Sequence, residues 1–281
     1  MRTPILLLIM AATMTAQVQV HGHRGARAAR PENTIPAFEY ALAAGVDVLE
    51  LDLAVTKDNI VVVSHDATMN PAYCAGPDGA ERVIRRMTLA ELQRWDCGAR
   101  ANPQFPQQQA IPGTRVPTLD AVFTLAKAAR VEFNIETKMT PAHPEWAPEP
   151  EEFARLVLAV INRHGLAPRV ILQSFDYRTL LAMERLAPQI RRSALLPARR
   201  EEAGRDYVEA ARAAKATIVS PIYPTVTPEK VAAAHAAGLQ VVPWTANTPA
   251  DWEKLVAAKV DAIITDDPAA LIAYLKQRKL R

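Results

Sequence analysis

Short runs rich in Val, Ile and Leu alternate along the chain with longer Ala- and Leu-rich runs of helical period. The short runs predict strands at Val18–Gly22, Val46–Leu53, Val131–Glu136, Val170–Ser174, Arg191–Leu195, Thr217–Ser220, Gln240–Trp244 and Ala262–Thr265. The longer runs predict helices at Ile35–Ala44, Leu119–Ala129, Glu151–His164, Tyr177–Leu186, Glu201–Ala214, Pro228–Ala237, Pro249–Ala258 and Pro268–Arg278. Thr227-Pro228 and Thr248-Pro249 are cap-plus-proline helix starts, and Gly45, Gly165 and Gly238 stand just past helix ends. Such a regular alternation predicts an α/β chain whose parallel strands close into a (β/α)8 TIM barrel. Residues 17–281 read as one barrel domain.

One apolar run breaks the alternation. Ile60–His65 follows the second strand after only Lys57-Asp58-Asn59, too short for a parallel crossover, so it must return antiparallel as a hairpin. If the turn centres near Asp58, paired residue numbers sum to about 116 or 117. That register sets His65 beside Leu51 or Asp52 at the C-terminal end of the second strand. Residues 66–118 then form a Pro-, Gly-, Asn- and Gln-rich insertion, with one short helix expected at Thr88–Trp95.

Composition narrows the class. Hydrophobic residues make up 49% and charged residues 22% of the 281, which excludes a disordered or fibrous chain. The 33 basic and 30 acidic residues leave a net charge of +3 with no basic block, so no nucleic-acid partner is called for. Residues 1–16 place Arg2 before an apolar run from Ile5 to Met14, the shape of a secretory signal peptide cut after Thr15 or Ala16. No stretch reaches the ~18 apolar residues of a membrane span, so the mature protein is expected to lack a transmembrane segment and to be periplasmic or secreted. In that compartment the two cysteines, Cys74 and Cys97, are expected to form a disulfide within the insertion; two buried free thiols are the alternative.

Glu50 and Asp52 lie two apart on the second strand, so both side chains face the barrel interior, and Glu136 ends the third strand. Inward carboxylates among Val and Leu need a cation or a salt-bridge partner. Three oxygen donors suit Ca²⁺ or Mg²⁺ better than zinc, and Lys138 is the candidate for a purely ionic cluster. His23 ends the first strand and His65 the hairpin, so two imidazoles flank the carboxylates as a possible acid–base pair. Arg24 and Lys138 beside them suit an anionic phosphate. Gln173, Phe175, Tyr223 and Trp244 stand at other strand ends as pocket-lining candidates. Glu32 and Asn33, at the start of the first helix, can support Arg24 or a catalytic histidine from behind. His21, His143, His164 and His235 read as structural or surface residues.

The same residues carry a resemblance. His23-Arg24-Gly25, Pro31-Glu32-Asn33-Thr34, Glu50-Leu51-Asp52, Thr56-Lys57-Asp58, His65-Asp66, Glu136-Thr137-Lys138, Gln173-Ser174-Phe175, Trp244-Thr245 and Thr265-Asp266-Asp267-Pro268 occur in that order. Over roughly residues 18–275 the chain resembles the glycerophosphodiester phosphodiesterases. The resemblance implies Glu50, Asp52 and Glu136 as ligands of one Ca²⁺ or Mg²⁺, His23 and His65 as the acid–base pair, and Arg24, Lys138 and Trp244 as substrate contacts. It implies hydrolysis of a small glycerophosphodiester to glycerol 3-phosphate and an alcohol. Calcium is the more usual metal in the periplasmic branch that an exported form resembles. Asn59 stands where the family commonly has glycine; Asn tolerates positive φ. A lysophospholipase D on the same barrel and a non-catalytic binding barrel are the competing readings. Headgroup preference and oligomeric state are not legible at this level.

Overall fold

The computed structural model describes residues 17–197 and 205–281. The expected leader at residues 1–16 and residues 201–204 of the expected helix Glu201–Ala214 lie outside the described residues, and that helix begins only at Tyr207, because the Asp206 side chain caps it by accepting from Val208 N and Glu209 N. The chain runs β1 (Gln19–Gly22), α1 (Ile35–Ala44), β2 (Val48–Val55), β3 (Val61–Val63), α2 (Leu89–Leu92), α3 (Leu119–Ala126), β4 (Glu132–Thr137) and α4 (Pro150–His164). It continues through β5 (Val170–Ser174), α5 (Tyr177–Leu186), β6 (Arg191–Leu195), α6 (Tyr207–Ala213), β7 (Ile218–Ser220), α7 (Pro228–Ala236), β8 (Gln240–Val241), α8 (Pro249–Ala257), β9 (Ala262–Thr265) and α9 (Pro268–Gln277).

The parallel strands follow the order β8-β7-β6-β5-β4-β2-β1-β9. Backbone bonds from Asp261 N to the Val241 carbonyl and from Ile264 N to the Pro243 carbonyl, each 3.0 Å, join the two ends into the expected eight-stranded barrel. Leucines 49, 51 and 53 of β2 point outward and are fully buried with Phe133 and Ile135 of β4 under Phe38, Phe123 and Phe153 of the surrounding helices. The interior is two-sided. Ile171, Ile218, Val242, Ala262 and Ile264 make one half apolar, while His21, Glu50, Asp52, Asn134, Glu136 and Gln173 make the other half polar, all buried.

The hairpin adopts one of the two expected registers. Leu53 faces Val63, Ala54 faces Val62 and Val55 faces Val61, so each pair sums to 116. Ladder pairing stops at Val63, and Ser64 N then donates to the Asp52 carbonyl at 2.9 Å, which starts His65 toward the barrel mouth. Asn59 sits at φ 62°, and the Thr56 hydroxyl closes the turn on Asp58 Oδ1 at 2.6 Å. The insertion has its own small core, in which Met69, Ile84, Met87, Leu92, Trp95 and Val116 pack on the outer side of the hairpin at Ala54 and Val62. Cys74 and Cys97 are bonded to each other inside it.

Three local readings need correction. The expected strand Gln240–Trp244 keeps only Gln240–Val241 as regular ladder, because Pro221 on the β7 side and Pro243 on the β9 side have no N–H to donate; Trp244 makes a lone parallel bridge with Ile222. The short insertion helix is a single turn, Leu89–Leu92, held by a capping box between Thr88 and Glu91. Helix α3 ends at Ala126 instead of Ala129.

Candidate active site

The end of β1 turns sharply so that two consecutive side chains face the barrel mouth. Arg24 and Gly25 take positive φ, 50° and 83°. A Cβ at Gly25 would lie 2.7 Å from the backbone of Ala37, so only glycine lets this turn press onto α1. The left-handed Arg24 costs about 1–2 kcal/mol. Its own N–H offsets this by donating to Glu50 Oε2 at 2.9 Å.

The carboxylates meet through register. Asp52 pairs with Glu136, and Glu136 with Gln173, so these three stand in one row across β2, β4 and β5; Glu50 lies one step deeper, level with Asn134. Ligand oxygens of Glu50, Asp52 and Glu136 lie within 4.8 Å of one another, the one such acidic cluster among the described residues. Burial, then the neighbouring charge of Asp52, pushes Glu50 well above the usual carboxylate range. Burial also raises Glu136, against the pull of Lys138. Burial acts upward on Asp52 too, but Arg24, with His65 and Lys138, outweighs it and holds that carboxyl well below its ordinary value. This donor set fits a hard divalent cation. All three groups offer oxygen, their spacing is within twice a typical Ca²⁺–O distance of ~2.4 Å, and the crowding that raises two of them is what a cation relieves.

Two imidazole–carboxylate pairs flank the cluster. His23 Nδ1 lies 2.5 Å from Asp266 Oδ1, and its Nε2 faces Glu50 Oε2 at 3.9 Å. Burial lowers the His23 pKa below its ordinary value, partly countered by the Asp266 hydrogen bond. His65 Nδ1 lies 2.8 Å from Asp66 Oδ1, and the Tyr73 hydroxyl donates to the other Asp66 oxygen at 3.3 Å. His65 is the more open of the two, with 32% of its side chain exposed against 12% for His23. In both pairs Nδ1 is engaged, which leaves Nε2 for the site.

The cations interleave with the acids. Arg24 Nη1 donates to Glu32 Oε1 at 2.6 Å, and its Nε lies 3.2 Å from Asp52 Oδ2. Lys138 Nζ lies 3.0 Å from Glu136 and 3.7 Å from Asp52. The Asn33 side chain donates to Asp52 Oδ2 at 2.9 Å, while the Thr34 hydroxyl turns back to the Pro31 carbonyl and makes no cap bond. Above the cluster opens a cavity of about 160 Å³ lined by both histidines, the three carboxylates, Lys138, Gln173, Phe175 and Trp244. Trp244 spends its indole N–H on the Ser220 carbonyl, 3.0 Å, and stands edge-on to Phe175, so it offers a wall and not a hydrogen bond.

Tyr223, a pocket candidate in sequence, instead packs against the main core. His21 sits beneath the cluster, fully buried, and burial, with Arg191 adding to it, lowers its pKa to about 3. His143, His164 and His235 pair with Glu145, Asp120 and Asp261, away from the cavity.

The roles of two site residues, Asp266 and Gln173, went unread in sequence. Asp266 also forms an ion pair with Arg27 Nε and accepts from Asn247 Nδ2, both at 2.8 Å. A signal existed for it: Asp267 already caps α9 by accepting from Ala270 N, which left a second, unexplained carboxylate at a strand end. Gln173, read only as lining, donates to Glu50 Oε1 at 2.8 Å and accepts from Asn134 at 2.9 Å, so it holds the deepest carboxylate from behind.

The Glycerophosphoryl diester phosphodiesterase family model matches residues 23–270. A glycerophosphodiester phosphodiesterase from Caldanaerobacter subterraneus subsp. tengcongensis is 33% identical over 258 residues, 92% of this chain and 98% of that protein. A provisionally named glycerophosphoryl diester phosphodiesterase from Silicibacter pomeroyi superposes with a TM-score of 0.85 at 33% identity, covering 94% of this chain and 95% of the other. An Oleispira antarctica phosphodiesterase, solved with the product sn-glycerol-3-phosphate, shares the fold at a TM-score of 0.77 and 23% identity, over 92% of this chain and 97% of its own.

Proposed function

The chain belongs to the glycerophosphoryl diester phosphodiesterase family, and from that premise we propose how its residues divide the work of hydrolysing glycerophosphodiesters to glycerol 3-phosphate and an alcohol. The observation that carries the division is the convergence of three buried carboxylates and two carboxylate-held imidazoles at one barrel mouth. Glu50, Asp52 and Glu136 would hold a divalent cation, which when bound would supply positive charge beside the phosphate and offset the charge that develops in the transition state. The all-oxygen donor set makes Ca²⁺ or Mg²⁺ our reading of its identity. Arg24 and Lys138 hold the phosphate beside it, and Asn33 and Glu32 keep Asp52 and Arg24 in place. One imidazole takes a proton at Nε2 from the attacking hydroxyl, and the other returns a proton from Nε2 to the departing alkoxide; where the attacker is the glycerol's own hydroxyl instead of water, the cyclic phosphodiester so formed is opened by water in a second step with the two roles exchanged. Asp266 and Asp66 fix the tautomers that make this possible. Trp244 and Phe175 wall the glycerol side.

A lysophospholipase D reading is less well supported. An open groove beside the insertion, about 520 Å³ and lined in part by Ile35, Pro36, Leu89, Val116 and Pro117, shares no residue with the catalytic cavity. A binding barrel without catalysis has no use for two oriented imidazoles. No helix among the described residues is long and apolar enough to cross a membrane. We further place the protein in the periplasm or outside the cell, a reading supported by the bonded Cys74 and Cys97. Mass spectrometry of the N-terminus from fractionated cells tests it: a chain still carrying Met1 in the cytosol refutes export. Enzyme-coupled release of glycerol 3-phosphate from glycerophosphocholine, with and without chelator, tests the activity. Turnover insensitive to chelation removes the metal from the scheme.

A further inference from the structure

A second cleft, of about 500 Å³, opens from the catalytic cavity toward the insertion and shares Arg24, Arg27 and His65 with it. Its outer wall is Asn70, Ala72, Tyr73, Asn102 and Gln104. The wall is built and fastened. Gln108 accepts from Asn102 N at 2.7 Å and donates to the Arg27 carbonyl at 2.6 Å, which ties the 102–108 loop to the turn that carries the site. Arg100 donates to the Pro71 carbonyl at 2.7 Å and joins the two sides.

The charges on this wall are already spent. Arg27 is taken up by Asp266 and Glu32 and covered by the Phe105 ring at 4.7 Å. Glu32 serves Arg24 and Arg27, and Asp66 serves His65 and Tyr73. What the cleft offers a ligand is chiefly the exposed Gln104 amide, with donor and acceptor that match hydroxyls, and the Asn102 amide, whose Oδ1 already accepts from Gln104 N at 3.0 Å; Asn70 is taken up by Ala72 N and Asp66. A quaternary ammonium needs an aromatic cage or an excess of carboxylate, and the cleft has one tyrosine and two carboxylates, Glu32 and Asp66, matched by the guanidiniums of Arg24 and Arg27. An acyl chain needs an apolar wall.

Resting on the phosphodiesterase reading, we propose that this cleft is the subsite for the departing alcohol, and that it takes a neutral polyhydroxy headgroup of the glycerol or inositol class in preference to choline. The phosphorus sits at the carboxylate cluster, glycerol 3-phosphate stays in the aromatic-walled cavity, and the headgroup lies across His65 against Asn102 and Gln104.

The test is kcat/KM for release of glycerol 3-phosphate from glycerophosphoglycerol, glycerophosphoinositol and glycerophosphocholine by the metal-replete enzyme. The wild type is expected to favour the two polyol esters by roughly tenfold or more, about 1.4 kcal/mol. Gln104→Ala, on an exposed loop, is expected to narrow that ratio several-fold. Ala72→Trp, an exposed position that cannot empty the core, is expected to disfavour the inositol ester more than the glycerol ester. A choline ester cleaved as well as the polyols, or variants that slow all three alike, overturns the assignment. Absence of glycerol 3-phosphate from every ester overturns instead the phosphodiesterase reading on which it stands.

Discussion

Replacing Asp266 with asparagine keeps the shape of the group behind His23 and removes its charge. In the native arrangement the carboxylate accepts from His23 Nδ1, which frees Nε2 for proton transfer. An amide presenting its NH2 to Nδ1 favours the opposite tautomer, with the proton on Nε2 aimed at Glu50 Oε2, 3.9 Å away. Acid–base catalysis by a positioned side chain contributes roughly 10²–10⁴-fold, and a wrong tautomer forfeits most of it. The expected result is therefore a fall in kcat of about 10²–10⁴ with KM little changed. Stability falls as well, because the Arg27 guanidinium loses its ion-pair partner at 2.8 Å in a largely buried place. Metal affinity is expected to hold, since Asp266 makes no hydrogen bond to Glu50, Asp52 or Glu136. Steady-state kinetics, thermal unfolding and calorimetric titration with Ca²⁺ and Mg²⁺ separate the three effects. A kcat within about threefold of wild type would falsify the orienting role, and so would a loss of rate that tracks a loss of metal binding.

Other expectations follow from named contacts. Gln173→Leu removes the donor to Glu50 Oε1 and leaves Asn134 Nδ2 without its acceptor, so divalent-metal affinity is expected to fall about 10- to 100-fold by calorimetry; an unchanged affinity refutes a supporting role. Phe133→Ala opens a cavity between β4 and α3, where the ring meets Phe123 at 4.7 Å between centroids. It should cost about 3–5 kcal/mol in denaturant unfolding, and a cost below ~1 kcal/mol denies that packing its weight. Cys74→Ser with Cys97→Ser opens a loop of 23 residues' separation and should cost about 3 kcal/mol in the chain-entropy picture. The loss should appear first as faster proteolysis within residues 66–118, because that segment has its own small core; simultaneous cleavage throughout the barrel argues against a separate unit.

Hydrophobic period and parity determined much of this protein directly from its sequence. Strands β5, β6 and β9 and helices α1 and α5 run between the residues their patterns mark, because the outer-face apolar residues of the barrel recur at strand and helix spacing. The interval between Val55 and Val61 is too short for anything but a hairpin and left two registers, of which the structure takes the one summing to 116, while the two-residue step between Glu50 and Asp52 set their shared face. Contacts that depend on closure had no such local mark. His23 and Asp266 stand 243 residues apart in sequence and meet only because β1 and β9 become neighbours when the sheet curls into a barrel. Gln173 reaches Glu50 across 123 residues for the same kind of reason, through the pairing of β5 with β4 and β4 with β2. The loop bearing Asn102 and Gln104 has no period at all; its place beside His65 follows from fastening to the Arg27 carbonyl by a side chain 81 residues away. Local spacing decides which face a side chain takes, whereas partners distant in sequence are decided by which strands the closed sheet brings side by side.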